Sequence, residues 1–186
     1  MTHSLDALTG ALLEAARAAG ADAADAIAVE GTSVAIDVLN GKLEHAERAE
    51  GIDIGLRVIV GQKQANVSAS DTAPGTIAAM AERAVAMARE APDDPSVGLA
   101  DVDQLATSWD LAALELEDPA TEPAPAELED DARRAEAAAL AVDGVAQVQA
   151  TSAGYGRRRI QLAASNGFSG GYVRTDRVVS LAAISG

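Results

Sequence analysis

The sequence contains no cysteine, so it can form neither a disulfide framework nor a thiolate metal site. Aromatic residues make up only 2% of it. The core must therefore be built from Ala, Val, Leu and Ile. Each of these buries less surface than an aromatic ring, at about 25 cal/mol per Å², and close helix-sheet packing has to compensate. The two histidines, His3 and His45, are too few to make an imidazole zinc site unaided. No apolar run approaches the roughly 18 residues of a membrane span. The first residues, Met1 to Leu5, lack the basic region and apolar core of a secretion signal. Basic residues are scarce, 14 Lys and Arg against 29 Asp and Glu, for a formal net charge of −15. Such a charge opposes binding to nucleic acid and to anionic membranes. The cytoplasm, a reducing compartment, is the expected location.

What is present is strand-forming alternation. Ile52, Ile54, Leu56, Val58 and Val60 fall on one side of an extended chain and predict a core-facing strand. Gly61 permits a reversal, and Ala65, Val67 and Ala69 alternate with Asn66, Ser68 and Ser70 on the return strand. Val34, Ile36 and Val38 predict an earlier strand. It ends at Asn40-Gly41, a type I′ hairpin signal because both residues tolerate positive φ. Ile27 and Val29 suggest a further short strand before it. Upstream, Leu5, Leu8, Leu12 and Ala16 recur at helical spacing between a Ser4 cap and Gly20. Pro74 opens a second helix running to about Arg89, with Ile77, Met80, Ala81, Ala84 and Met87 along one face.

From Ala91 to Pro125 the chain is acidic and punctuated by proline, which predicts a connector whose Leu and Trp residues lie on some surface. A third helix is expected from about Ala126 to Val142. Three strands follow, Val145 to Ala153, Arg159 to Ala164 and Gly171 to Ile184, with reversals at Gly154-Tyr155-Gly156 and at Ser165-Asn166-Gly167. The expected fold class is α+β, helices packed on antiparallel sheets in two helix-plus-meander modules. Residues 1–90 form the first module, 91–125 the connector and 126–186 the second module.

Chemistry-bearing patterns are sparse. His45 and Glu47 share a strand face, but two ligands make a weak metal site, and a solvated face is the expectation. Gly154-Tyr155-Gly156-Arg157-Arg158-Arg159 is followed by a strand rather than by the helix amino terminus that a phosphate loop requires. Ser152, Ser165 and Asp176 form no nucleophile-base set, because no histidine motif accompanies them. Arg57 projects opposite the apolar side of its strand. It is a candidate partner or peptide contact, weighed against an ordinary ion pair on an open face. Trp109 could anchor the connector or lie at an interface. Asn40, Gly41, Gly61, Asn166 and Gly167 are read as structural turn residues, and no catalytic, metal or cofactor residue is expected.

Several segments, taken in order, resemble the amino-terminal part of the TldD/PmbA family, once called modulators of DNA gyrase. They are Gly20-Ala21, Leu39-Asn40-Gly41-Lys42-Leu43-Glu44, the glycine hairpin ending at Val67 to Asp71, and Asp94-Pro95 with Gly98 to Asp101. Leu114 to Pro119, Arg134 to Leu140 and Ser165-Asn166-Gly167 before Gly171-Tyr172 complete the series. The sequence is most similar to the PmbA (TldE) branch. The resemblance implies a two-subunit cytoplasmic peptidase acting on unfolded peptides. In it a TldD-like partner supplies zinc through a His-Glu-x-x-x-His motif, and the PmbA-like subunit lacks working ligands. This chain has no such motif. On that reading it is an amino-terminal scaffold portion, inactive alone, whose carboxy-terminal domain would follow Gly186. The alternative is a regulatory interaction module without a role in proteolysis. The charge-free terminal strand, left as an edge, is expected to favour self-association.

Overall fold

The computed structural model describes residues 4–186. Its elements are α1 (Leu5–Ala18), β1 (Ala23–Leu39), β2 (Lys42–Val60), β3 (Lys63–Ala69), α2 (Pro74–Glu90), a short 3₁₀ turn (Val102–Gln104), α3 (Pro125–Leu140), β4 (Val145–Ala164) and β5 (Ser169–Ser185). The strands join into one antiparallel sheet in the order β3-β2-β1-β4-β5. The fold class is therefore α+β. The chain divides into two compact units. One comprises the residues up to Glu30, Gly51–Leu114 and Arg159–Tyr172; the other comprises Gly31–Glu50, Glu115–Arg158 and Val173–Gly186.

In the first unit, α1 starts where Ser4 Oγ accepts the Ala7 N–H at 3.1 Å and stops before Gly20, whose φ of +94° suits a residue without Cβ. Its Leu5, Leu8, Leu12 and Ala16 stripe meets Ile77, Met80, Ala84 and Val85 of α2 over Ala24, Ala26, Ala28, Ile54, Leu56 and Val58 of the strands. The alanines, small side chains facing the helices, let helix and sheet pack with few aromatic rings between them. β2 and β3 pair antiparallel with Leu56 opposite Val67 and Val60 opposite Lys63. They are joined through Gly61 at φ +60°, whose N–H donates to Asp22 Oδ2 at 2.7 Å.

In the second unit, Leu128 and Ala132 of α3 pack on Val34, Ile36, Val38 and Ala153, with Tyr155 alongside. Asn40 and Gly41 have φ of 53° and 68°, the conformation of a type I′ turn. Glu136 on α3 is 3% exposed, and its two carboxylate oxygens accept the N–H groups of Asn40 at 2.7 Å and of Gly41 at 2.6 Å. A helix side chain thus fixes a hairpin nearly a hundred residues away. Asp131, also on α3, is paired with Arg177 of β5 and with Arg134. The hydrogen bond from Arg177 comes first among the causes that hold its carboxyl below the ordinary range.

Three expectations about regular structure change. The segment from Val145 to Ala164 is one continuous strand, with no reversal at Gly154-Tyr155-Gly156. Gly156 serves close approach instead, and Gly154 lies in ordinary van der Waals contact. A Cβ on Gly156 would stand 3.0 Å from Asp176 Oδ1, and one on Gly154 would stand 3.5 Å from both Val34 O and Val178 Cγ1. Likewise Ile27, Val29 and Val34 to Val38 belong to one seventeen-residue strand, β1. Pro125, read as a breaker inside the connector, is the first residue of α3. Its missing N–H costs nothing there, and Glu127 Oε2 accepts the preceding Ala124 N–H at 2.7 Å.

Candidate functional site

The first unit leaves one face of its strands uncovered. Asp25 and Ile27 alternate with the buried Ala24, Ala26 and Ala28, and Gly55 and Arg57 alternate with the buried Ile54, Leu56 and Val58. Together with Ser68 and Leu162 they line a shallow groove of about 490 Å³. Ile27 and Leu162, each 39% exposed, form its apolar part. Ile27 leans over the backbone of Gly55, where a Cβ would meet its Cγ2 at 2.9 Å.

Arg57 is the polar centre of the groove. Its Nε donates to Asp25 Oδ2 at 2.8 Å, its Nη2 donates to the same oxygen, and its Nη1 donates to Gln64 Oε1 at 3.3 Å. The guanidinium is half-buried, its side chain 32% exposed against 23% for Asp25. A guanidinium has five N–H groups, so two remain for a carbonyl or carboxylate lying along the groove. The arrangement can orient a ligand through hydrogen bonds, with the Asp25 carboxylate itself engaged by Arg57.

Trp109 does not line this groove. It packs near Phe168, with ring centroids 6.1 Å apart, over Gly170, where a Cβ would fall 2.3 Å from the indole. Asn166 donates from Nδ2 to Ala100 O at 2.9 Å and accepts the Phe168 N–H, while Gly167 has φ +98°. The connector is thereby strapped to the β4–β5 turn. Sequence reasoning missed Asp25, Gln64 and Glu136. Asp25 had a signal, an acid inside the alternating Ala24 to Ala28 run, whereas Gln64 and Glu136 had none.

The other chemistry-bearing residues are accounted for locally. His45 Nε2 lies 3.6 Å from Glu47 Oε2, both well exposed; His3 lies outside the described residues. Arg157, Arg158 and Arg159 pair with Glu117, Asp176 and Glu30. Ser152 Oγ donates to Asp37 at 2.6 Å, and Ser165 Oγ accepts the Ala24 N–H at 3.0 Å. Among the described residues no three His, Cys, Asp or Glu side chains gather as metal ligands. No helix there is long and apolar enough to cross a membrane.

These observations define an α+β chain whose first unit carries an open sheet face with Arg57 at its polar centre. The chain belongs to the PmbA/TldD family. Residues 24–88 match the model described as PmbA/TldA metallopeptidase domain 1, and residues 118–186 match the PmbA/TldA metallopeptidase central domain. Metalloprotease PmbA of Escherichia coli O157:H7 is 32% identical over 122 residues, covering 66% of this chain and 26% of that protein. TldE from Thermococcus kodakarensis superposes with a TM-score of 0.71 at 15% identity, over 96% of this chain and 39% of that one. A protein described as a modulator of DNA gyrase from Bacteroides thetaiotaomicron gives 0.70 at 17%, over 90% and 38%. The chain therefore spans about a quarter of the length of the curated relative and about two fifths of these solved chains. The donor set described above does not fit a zinc ion, so no step of peptide hydrolysis is assigned to these residues.

Proposed function

We propose that this chain is the amino-terminal scaffold portion of the metal-free, PmbA/TldE-like subunit of a cytoplasmic peptidase complex that acts on unfolded peptides. The observation that carries the reading is the consecutive match to the first and central domains of a metallopeptidase family in a chain whose described residues assemble no metal-donor cluster. Zinc belongs, on this reading, to a TldD-like partner. The part played by these residues is positioning: the strands of the first unit present the Arg57 groove as a polar and apolar wall for an extended segment. The two unused N–H groups of Arg57 suit a peptide carbonyl, and Ile27 and Leu162 suit its side chains.

Titration of the chain with a TldD-like subunit, followed by sedimentation, tests this. A mixed complex, weakened by Arg57→Ala if the groove contributes to it, is the expected result. Failure to associate with any TldD-like subunit, together with stable capture of a protein unconnected with proteolysis, would favour the regulatory-module alternative.

A further inference from the structure

Of the three asparagines in the sequence, Asn40 and Asn166 are each followed by glycine. In such a pair the glycine nitrogen, next to a carbon without Cβ, can attack the side-chain amide carbon of the asparagine. The glycine N–H proton passes to a base in the solvent, the new N–C bond closes a succinimide ring, and the side-chain nitrogen leaves as ammonia. Water then opens the ring at either carbonyl, giving an aspartate or an isoaspartate. Hydrogen bonds that keep the nitrogen and the amide carbon apart therefore control the reaction, and the two pairs are held in different ways. Asn166 is fixed through its side chain: Nδ2 donates to Ala100 O at 2.9 Å, Oδ1 accepts the Phe168 N–H at 3.2 Å, and the Gly167 N–H donates to Ala164 O at 3.0 Å. Asn40 is held through the backbone. Glu136, 3% exposed, accepts the Asn40 N–H on Oε1 at 2.7 Å and the Gly41 N–H on Oε2 at 2.6 Å, and among the described residues no hydrogen bond holds the Asn40 side-chain amide.

We infer that Asn40-Gly41 is a deamidation site of this chain, that the Glu136 carboxylate is the restraint on it, and that the product releases the restraint. While the Gly41 N–H is donated to Glu136, the peptide plane that carries it cannot turn toward the Asn40 side chain. Conversion therefore proceeds from the minor state in which the hairpin has opened. Afterwards, closure onto Glu136 is opposed. The aspartate product carries a negative charge on the residue whose N–H lies 2.7 Å from Glu136 Oε1, and like charges sharing a site disfavour each other. The isoaspartate product adds a carbon to the backbone, which a two-residue type I′ turn does not accommodate. Each conversion thus turns a closed hairpin into an open one, in one direction and without an enzyme. Asn40, Gly41 and Glu136 all lie in the second unit. This inference does not depend on the proposed function.

Incubation of the full chain in mildly alkaline buffer, with peptide mapping by mass spectrometry over a time course, tests it. Conversion is expected at Asn40 before Asn166. Glu136→Ala should speed conversion at Asn40 about tenfold, the opening that one hydrogen bond to a charged group suppresses, and should leave Asn166 at its wild-type rate. Glu136→Gln, which keeps one acceptor, should fall between. Leu12→Ala opens a cavity in the core of the first unit and controls for general destabilisation; it should leave Asn40 at its wild-type rate. Asn40→Asp supplies one product directly. If that product releases the hairpin, Glu136→Ala should lower the Tm of the Asn40→Asp chain by less than it lowers that of wild type. Conversion at Asn166 as fast as at Asn40 overturns the assignment of the site. An Asn40 rate that neither Glu136 variant raises, or that Leu12→Ala raises equally, overturns the restraint, and Tm losses that simply add in the double variant overturn the release.

Discussion

Glu136→Ala is the most informative single substitution in the second unit, because one buried carboxylate accepts both turn N–H groups, at 2.7 and 2.6 Å. A hydrogen bond to a charged group contributes about 1.5–3 kcal/mol. Asn40 and Gly41 are exposed, so their N–H groups regain water when the acceptor is removed. The lower end of the range therefore applies, and the two bonds together should cost about 3 kcal/mol. The higher helix propensity of alanine acts in the opposite direction by a few tenths of a kcal/mol, so a loss cannot come from α3 itself. For a chain of this size, about 3 kcal/mol lowers Tm by about 6–12 °C. Glu136→Gln should fall between, since its amide keeps one acceptor and turns an N–H toward another donor. Thermal melts followed by far-UV circular dichroism measure this, with Glu82→Ala on the exposed side of α2 as the reference. If Glu136→Ala melts no lower than Glu82→Ala, the hairpin is not held by this carboxylate and the account of the second unit is wrong.

Gly170→Ala should eject Trp109 from its place beside Phe168, because the added Cβ would stand 2.3 Å from the indole. With a single tryptophan in the sequence, the emission spectrum reports that site alone, and an unshifted maximum would refute the strap. Asp131 has its carboxyl held low by Arg177, so its stabilising contribution is fully present above the unfolded carboxylate range near about 4 and disappears as pH falls through its lower folded value. The stability difference between wild type and Arg177→Met should therefore be present at neutral pH and shrink in acid; a difference that stays constant would refute the pairing. The purified chain should retain far less than one zinc per molecule by elemental analysis, and a stoichiometric content would require ligands that the described residues do not assemble.

Much of the fold is local in origin and legible for that reason. α1 and α2 follow from a Leu and Ala stripe, a Ser4 cap, Pro74 and Gly20, all of which act within a few residues. The Asn40-Gly41 turn follows from the φ values its residues tolerate. The length of the strands was not legible. Gly154 and Gly156 read as a reversal because glycine allows one, whereas the strand runs on through both and Gly156 lies close against Asp176, distant in sequence. The polar groove was half legible. Alternation placed Arg57 on the face away from the core, but nothing near it in sequence identifies Asp25 as its partner 32 residues earlier. Glu136 is the extreme case. On a helix rich in Glu and Asp it looks like one more solvated acid, and only the β1–β2 hairpin packed against α3 makes it buried and specific.

The central claim is that this chain positions rather than reacts. The most direct measurement is hydrolysis of a fluorogenic unstructured peptide by the purified chain with zinc added, with and without a chelator. On the proposed reading the zinc that activates water belongs to a partner, and no metal-donor cluster gathers among the described residues, so turnover should equal the buffer blank in both arms. Zinc-dependent cleavage abolished by the chelator, persisting through purification of the isolated chain, would contradict it.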